Sequence, residues 1–350
     1  MIKEAIGKIA EKKDLTQAEM AQAFEEIMNG AAEPAQISAF ITGLRLKGET
    51  VDEITAAARV MRKFASTIDV RGSIDIDRDE INVEDETIVD TCGTGGSGTS
   101  TFNISTTVAF VVAGCGIKVA KHGNRSASSQ CGSADVLEEL GINLNLNPKQ
   151  VERCTKAIGI GFMYAPLFHS AMKYAVPVRK AIGIRTIFNI IGPLSNPANA
   201  TCQVLGVYDK KLTKVIAKVL GNLGVKHAFV VHGLDTLDEI SITGPTQVSE
   251  LKNKRVKTYI ITPEKHGFKR ASLKSIKGGN AKDNAKAVLS VLNGEKGPRR
   301  DVVLLNACYA IYAASGAKTV KQAIKRAEKS IDSGSALKKL NQLKELSNRQ

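Results

Sequence analysis

Thr87-Ile88-Val89-Asp90-Thr91-Cys92-Gly93-Thr94-Gly95-Gly96-Ser97-Gly98-Thr99-Ser100-Thr101-Phe102-Asn103-Ile104-Ser105-Thr106 is the stretch that decides the fold. A short β-branched run ends in four glycines within six positions, and small hydroxyl residues lead into an apolar run reaching Cys115. That order reads as strand, glycine-rich turn and helix start. Glycines let the backbone turn tightly and approach a ligand closely. Several N–H groups then face one concavity, and the helix N-terminus adds partial positive charge. The expected guest is an anion, phosphate or pyrophosphate.

Gly93 to Gly98 also matches G-x-G-x-x-G, which is weak evidence alone. A dinucleotide site places an acidic residue about 20 positions further on, to hold the ribose hydroxyls. Here that neighbourhood reads Lys118-Val119-Ala120-Lys121-His122-Gly123-Asn124-Arg125 and is basic. A 2′-phosphorylated dinucleotide tolerates such a segment, but nothing else supports one. No Lys-Ser/Thr follows the last glycine, so the loop is not a Walker A either.

Outward from the loop, strand and helix patterns alternate. Strands are predicted at 88–90, 117–120, 203–208, 228–231 and 256–261. Helices are predicted at 104–113, 134–140, 148–158, 211–222, 284–292, 301–314, 320–331 and 337–345. Alternation at this spacing argues for an α/β fold, with a mostly parallel central sheet flanked by helices and right-handed crossovers. Residues 1 to about 67 read instead as all-helical. Thr16 is a cap candidate ahead of Met20, Phe24 and Ile27, and Asn29-Gly30 stops that helix. Ile37, Phe40, Ile41 and Leu44 form a second stripe, and Ile54, Ala58, Val60, Met61 and Phe64 a third. Asp75-Ile76-Asp77-Arg78-Asp79-Glu80 is an acidic, unpatterned connector. The division is therefore a small helical N-terminal domain, 1–70, and a larger α/β domain, 71–350.

Composition sets the outer limits. At 350 residues the chain can form one large domain or two smaller ones, and 43% apolar with 24% charged residues is ordinary for a soluble protein. No stretch approaches the roughly 20 apolar residues of a membrane span. Met1-Ile2-Lys3-Glu4-Ala5 carries both charges and no apolar signal core. The six cysteines are scattered without C-x-x-C, which suits reduced thiols in the cytoplasm. The net charge of +14 is uneven: residues 251–350 carry 23 Lys+Arg against 7 Asp+Glu. Such a tail region raises nucleic acid as a partner. No aromatic interleaving accompanies the lysines, which counts against it.

Three further constellations bear on chemistry. Lys121-His122-Gly123-Asn124-Arg125 ends a second predicted strand, on the sheet edge where parallel sheets bind ligands. Ser126, Ser128, Ser129 and Ser133 then lead into a helix. Ala165 to Arg179 reads as a helix, a proline break at Pro177 and a second helix start, with Arg179 in its first turn. A cation there opposes the helix dipole, which suggests another task, such as a fork for a carboxylate; a plain surface arginine is the competing reading. Asp238-Glu239 lies just past the strand at 228–231. Paired carboxylates facing a phosphate loop make sense with a cation between them, and Mg²⁺ takes such ligands together with phosphate. Taken alone, the pair reads better as a solvated acidic turn.

In order, DTCGTGGSG, NIST, KHGNR, PVR, RTIFNIIGPLSNP and LDEI resemble the anthranilate phosphoribosyltransferase family of tryptophan biosynthesis. The resemblance runs nearly end to end and includes Gly278-Gly279-Asn280 and Gly297-Pro298-Arg299-Arg300-Asp301. It implies a homodimer formed through the helical part, to which a segment near 166–185 is joined. It implies the transfer of a phosphoribosyl group from its diphosphate to the amine of anthranilate, with Mg²⁺. The donor site would comprise Gly93, Gly96, Ser97, Thr101, Asn103, Ile104, Ser105, Thr106, Lys121, His122, Gly123, Asn124, Arg125, Ser126, Ala127, Ser128, Ser129 and Ser133. Asn124 and Arg179 would meet anthranilate, with Gly93 beside it. Ser105, Asp238 and Glu239 would hold the metal. His122 is a possible proton acceptor, although no strong base is required.

Two departures stand out. The family commonly has Asp where this chain has Ser97, and Gly where it has Thr236. Two rivals remain: a nucleoside phosphorylase of the same fold, and a non-catalytic nucleic-acid-binding relative. The KHGNR and PVR pieces suit a carboxylated aromatic better than a nucleobase. A pure binder has no need of Lys121, Arg179 and the acidic pair together.

Overall fold

The structure is a computed structural model and describes residues 1–70, 87–95, 98–126 and 130–349. The decisive stretch forms β1 (Ile88–Gly93), a loop, and α5 (Ile104–Gly114). Among the described residues, β1 lies inside a seven-stranded sheet of order β3-β2-β1-β4-β5-β6-β7. The strands are β2 (Lys118–Gly123), β3 (Ile160–Tyr164), β4 (Cys202–Gly206), β5 (His227–Gly233), β6 (Thr246–Lys252) and β7 (Arg255–Ile261). β1 to β5 pair in parallel, and β6 and β7 close the sheet as an antiparallel hairpin. The alternating pattern therefore does produce a mostly parallel sheet flanked by helices.

Ahead of the sheet come α1 (Ile2–Ala10), α2 (Gln17–Met28), α3 (Pro34–Lys47) and α4 (Val51–Lys63). Thr16 and Thr50 cap α2 and α4, accepting from the N–H groups of Glu19 and Glu53. The later helices are α6 (Ser133–Glu139), α7 (Pro148–Ile158), α8 (Ala165–Phe168), α9 (Val176–Ile182), α10 (Ile187–Ile191) and α11 (Leu212–Asn222), followed by α12 (Ala281–Leu292), α13 (Pro298–Ala313), α14 (Val320–Asp332) and α15 (Ser335–Asn348).

Two apolar cores form on opposite faces of the sheet. On one face α5 is buried nearly all round, beneath α13, α14 and α15. On the other face Leu205, Val207, Ala228 and Val230 share a core with α11 and with Phe24, Phe40, Ile54 and Phe188 from the helices. The N-terminal helices thus pack against the sheet side as well as each other. Two arginines of α4 reinforce this contact. Arg59 donates to the Asn222 carbonyl at 3.0 Å and Arg62 to those of Leu223 (3.2 Å) and Leu194 (2.8 Å). Cations there satisfy orphan carbonyls at the end of α11. Among the described residues no helix is long and apolar enough to cross a membrane.

The structure departs from the sequence expectations in several places. β1 continues to Gly93 because Thr91, Cys92 and Gly93 pair with Val204, Leu205 and Gly206. β3 and β6 have no counterpart among the predicted strands. The segment from Ala165 to Tyr174 is a single turn, α8, followed by a 3₁₀ turn rather than one helix. α9 starts at Val176, so Pro177 lies within its first turn and Arg179 in its last, where a cation suits the dipole. The dipole conflict read from the sequence is absent. The acidic connector lies outside the described residues.

Candidate functional site

Parallel strands bring their C-terminal ends to one edge, and there the loops after β1, β2, β4 and β5 converge. Gly93 and Gly206 are register partners at the ends of β1 and β4. A Cβ on Gly93 would stand 2.6 Å from the Asp238 carboxylate, and one on Gly206 would overlap the Asp238 carbonyl. The two bare positions make the gap through which residue 238 approaches the sheet. Asp238 then accepts from the Gly95 N–H at 2.9 Å, tying the loop after β5 to the glycine loop. Glu239 accepts from the Ser105 N–H at 3.2 Å, in the first turn of α5.

The two carboxylates are adjacent and face the glycine loop. Burial, and then the charge of Asp238, raise the Glu239 carboxyl to about 8, while Lys121 opposes that rise. Glu239 nevertheless keeps part of its surface open. Two adjacent carboxyl groups beside backbone donors, one of them costly to ionise without a cation, fit a divalent cation with oxygen ligands.

Lys121 lies beneath α5 and is almost fully buried. Its ammonium bonds the Thr91 carbonyl and reaches the Ser105 hydroxyl at 3.5 Å. Burial lowers its pKa, and the charge of Asp90 works against that. Asp90 is fully buried, accepts from Asn196 Nδ2 at 2.8 Å, and is itself raised by burial. The charges of Asp90 and Lys121 offset one another beneath the sheet edge, which holds the Lys121 ammonium in place. His122 contacts the His169 ring, centroids 4.9 Å apart, and Nε2 of His122 and both ring nitrogens of His169 lack partners among the described residues. Burial brings His122 to about 3 and His169 to about 4, so both rings are neutral at ordinary pH.

The remaining candidates are spread around this centre. Thr101 forms a β-bridge with Lys277, and Asn103 precedes α5 and bonds the Cys131 carbonyl at 3.3 Å. The Ile104 side chain is buried and its N–H bonds Phe102, while the Thr106 hydroxyl is buried without a partner among the described residues. Gly123 ends β2, and Asn124 is exposed beyond it, its carbonyl accepting from the Ser133 hydroxyl at 3.3 Å. Arg125 is committed to Glu138 (2.8 and 2.9 Å) and Asp135 (3.0 Å). The Ser126 N–H bonds Asp135. Gly96, Ser97, Ala127, Ser128 and Ser129 lie outside the described residues. Arg179 stands apart on α9, its guanidinium 5.3 Å from the centre of the Phe188 ring.

Comparison with known proteins addresses what such an edge serves. Residues 3–65 match the glycosyl transferase family helical bundle domain and residues 85–337 the glycosyl transferase family a/b domain. The anthranilate phosphoribosyltransferase of Pelobacter propionicus is 58% identical over 98% of this chain and 98% of its own length. That of Trichlorobacter lovleyi is 56% identical over 99% of this chain and 100% of its own. The chain belongs to the anthranilate phosphoribosyltransferase family. Solved members superpose closely. The Thermus thermophilus enzyme gives a TM-score of 0.90 at 36% identity, with 99% of each chain covered. The Saccharomyces cerevisiae enzyme, in complex with PRPP and Mg, gives 0.87 at 28%, covering 99% of this chain and 97% of its own.

Within the anthranilate phosphoribosyltransferase family, Thr236 is this chain's informative departure. It has φ +78°, a left-handed conformation that costs a β-branched residue about 1–3 kcal/mol and that glycine adopts freely. The turn Gly233–Leu237 imposes it: Thr236 N–H bonds the Gly233 carbonyl (2.9 Å) and Gly233 N–H the Leu237 carbonyl (2.8 Å). Thr236→Gly is expected to stabilise the fold by about 1 kcal/mol, after allowing for glycine's unfolded entropy. Chemical denaturation checks this, and a lower midpoint at unchanged slope counts against it.

Asp90, Asn196, His169 and Gly206 belong to this edge without being singled out as site residues by any sequence motif. A carboxylate inside an apolar strand was the available signal for Asp90, since an unpaired Asp is rarely buried there. Nothing local marked the others, whose roles depend on packing across the chain.

Proposed function

We infer that this chain transfers the phosphoribosyl group of 5-phosphoribosyl 1-diphosphate to the amine of anthranilate, giving N-(5-phosphoribosyl)anthranilate and diphosphate in tryptophan biosynthesis. The observation that carries this reading is the acidic pair of Asp238 and Glu239, bonded to the N–H groups of Gly95 and Ser105 at the mouth of a glycine loop. The anomeric C–O bond breaks toward diphosphate, a C–N bond forms, and the amine releases one proton.

The donor is assigned to the β1–α5 loop and the loop after β2, where backbone N–H groups and the first turn of α5 favour phosphate oxygens. Asp238, Glu239 and the Ser105 hydroxyl would hold Mg²⁺, which would neutralise charge on the diphosphate. Lys121 supports the anion from below through Thr91 and Ser105 without itself opening to solvent. Asn124 and Arg179 are assigned to anthranilate. The protein's main task is to hold the amine in line behind the anomeric carbon. A neutral His122 is a weak base, adequate only for a proton that an aryl ammonium gives up readily.

The working arrangement we propose is a cytoplasmic homodimer joined through the helical domain, 1–70, with the segment near 166–185 attached to it and 71–350 forming the donor domain. The resemblance of the helical part to the family supports the pairing, and a monomer mass in light scattering opposes it. The function itself is tested by following the loss of anthranilate fluorescence with purified protein, donor and Mg²⁺. Consumption that needs all three is expected. Salt-dependent DNA binding without consumption would favour the nucleic-acid-binding reading.

A further inference from the structure

The far end of the chain reaches back to the glycine loop. A strap at 276–278 lies along residues 100–102: Phe102 N–H bonds the Ile276 carbonyl at 3.1 Å, Gly278 N–H bonds the Ser100 carbonyl at 2.8 Å, and Thr101 bridges Lys277. Two residues further on α5 begins, whose first turn is assigned to the donor. Ser100 has φ +50°, so the loop is held in a conformation that a serine rarely takes.

Arg299 fastens this strap. Its guanidinium donates to the Lys277 carbonyl at 3.1 Å and lies 5.9 Å from the centre of the buried Phe102 ring. It therefore grips both sides of the contact, the strap by hydrogen bond and the loop by its aromatic residue. Its position is otherwise unfavourable. Arg299 is the second residue of α13, where a cation opposes the dipole of a 16-residue helix. The neighbouring Arg300 has a carboxylate to compensate, Asp332 at 2.6 and 2.9 Å. Arg299 has no carboxylate partner among the described residues. A cation left unneutralised against the loop that leads to a phosphate site serves that site by both placement and sign.

We propose that Arg299 is a positioning residue for the diphosphate donor: it locks the 276–278 strap onto residues 100–102 and so sets the first turn of α5. The proposal rests on the assignment of the donor to that turn.

Arg299→Gln, with steady-state kinetics in both substrates and calorimetric titration of the donor in the presence of Mg²⁺, tests it. The expected result is a donor KM and dissociation constant raised about tenfold, an anthranilate KM within about twofold of wild type, and partial recovery in Arg299→Lys. Gly278→Ala gives an independent route, because its Cβ would stand 2.5 Å from Asn284 Oδ1 and 2.8 Å from Phe102 backbone atoms and so lift the strap. It is expected to weaken donor binding in the same selective way. A folded Arg299→Gln protein with unchanged donor affinity overturns the proposal, as does an equal rise in both KM values. Ser105→Ala separates the two levels. If it weakens donor binding while the Arg299 and Gly278 variants do not, the donor site stands and the strap's role falls. If it too leaves donor binding unchanged, the assignment and the proposal fall together.

Discussion

Replacing Asp238 with Asn and Glu239 with Gln together is expected to lower turnover about a thousandfold at any Mg²⁺ concentration that saturates the wild type. The substitutions keep shape and hydrogen-bond capacity but remove both negative charges from the mouth of the glycine loop. The same change removes a like-charge conflict, since Glu239 is held at about 8 by burial and by Asp238. In chelator, the variant should therefore melt at or above the wild-type temperature. Loss of activity with retained stability separates a lost cation site from a damaged fold. A Mg²⁺ titration superimposable on that of the wild type would falsify the assignment of the pair.

Arg179→Ala is expected to raise the anthranilate KM about 10- to 100-fold, the worth of one charge-assisted bond to a carboxylate. Burial lowers the Arg179 pKa, and among the described residues no carboxylate pairs with the guanidinium. The Phe188 ring beside it orients the fork and does not neutralise it. A partly buried cation without a partner is a standing demand for an anion. The donor KM should stay within about twofold of wild type, since Arg179 lies on α9 and not on the loops assigned to the donor. Initial-rate kinetics with each substrate varied decide the matter. Unchanged kinetics for both substrates, or a change confined to the donor, would remove Arg179 from the anthranilate side.

Much of this architecture was legible in the sequence because local chemistry agreed with it. Thr16 ahead of Met20, Phe24 and Ile27 announced α2, and the structure completes its cap with Glu19. The helix predicted at 148–158 is α7, which Asn147 caps and Gly159 ends in a left-handed turn. What escaped had its cause in distant contacts. β3 follows α7 after the single residue Gly159, leaving no loop to mark a boundary. β6 carries Gln247, Ser249 and Glu250, polar residues satisfied by Thr213, Thr258, His227 and Tyr259 from elsewhere in the chain. The site divided the same way. The glycine loop and the acidic pair stood out as motifs, whereas Asp90 and Arg299 matter only through Lys121 and Phe102, which the fold brings to them.

The strand that ends the sheet explains part of the charge imbalance without a nucleic acid. β7 exposes Arg255 and Lys257 on its rim, with Lys252 and Lys254 at the hairpin turn beside them. An open edge offers unpaired backbone groups to any other extended chain, and clustered like charge is a standard defence. Two copies meeting rim to rim would press these cations together before a single backbone bond could form. Such repulsion opposes the growth of a ladder from rim to rim.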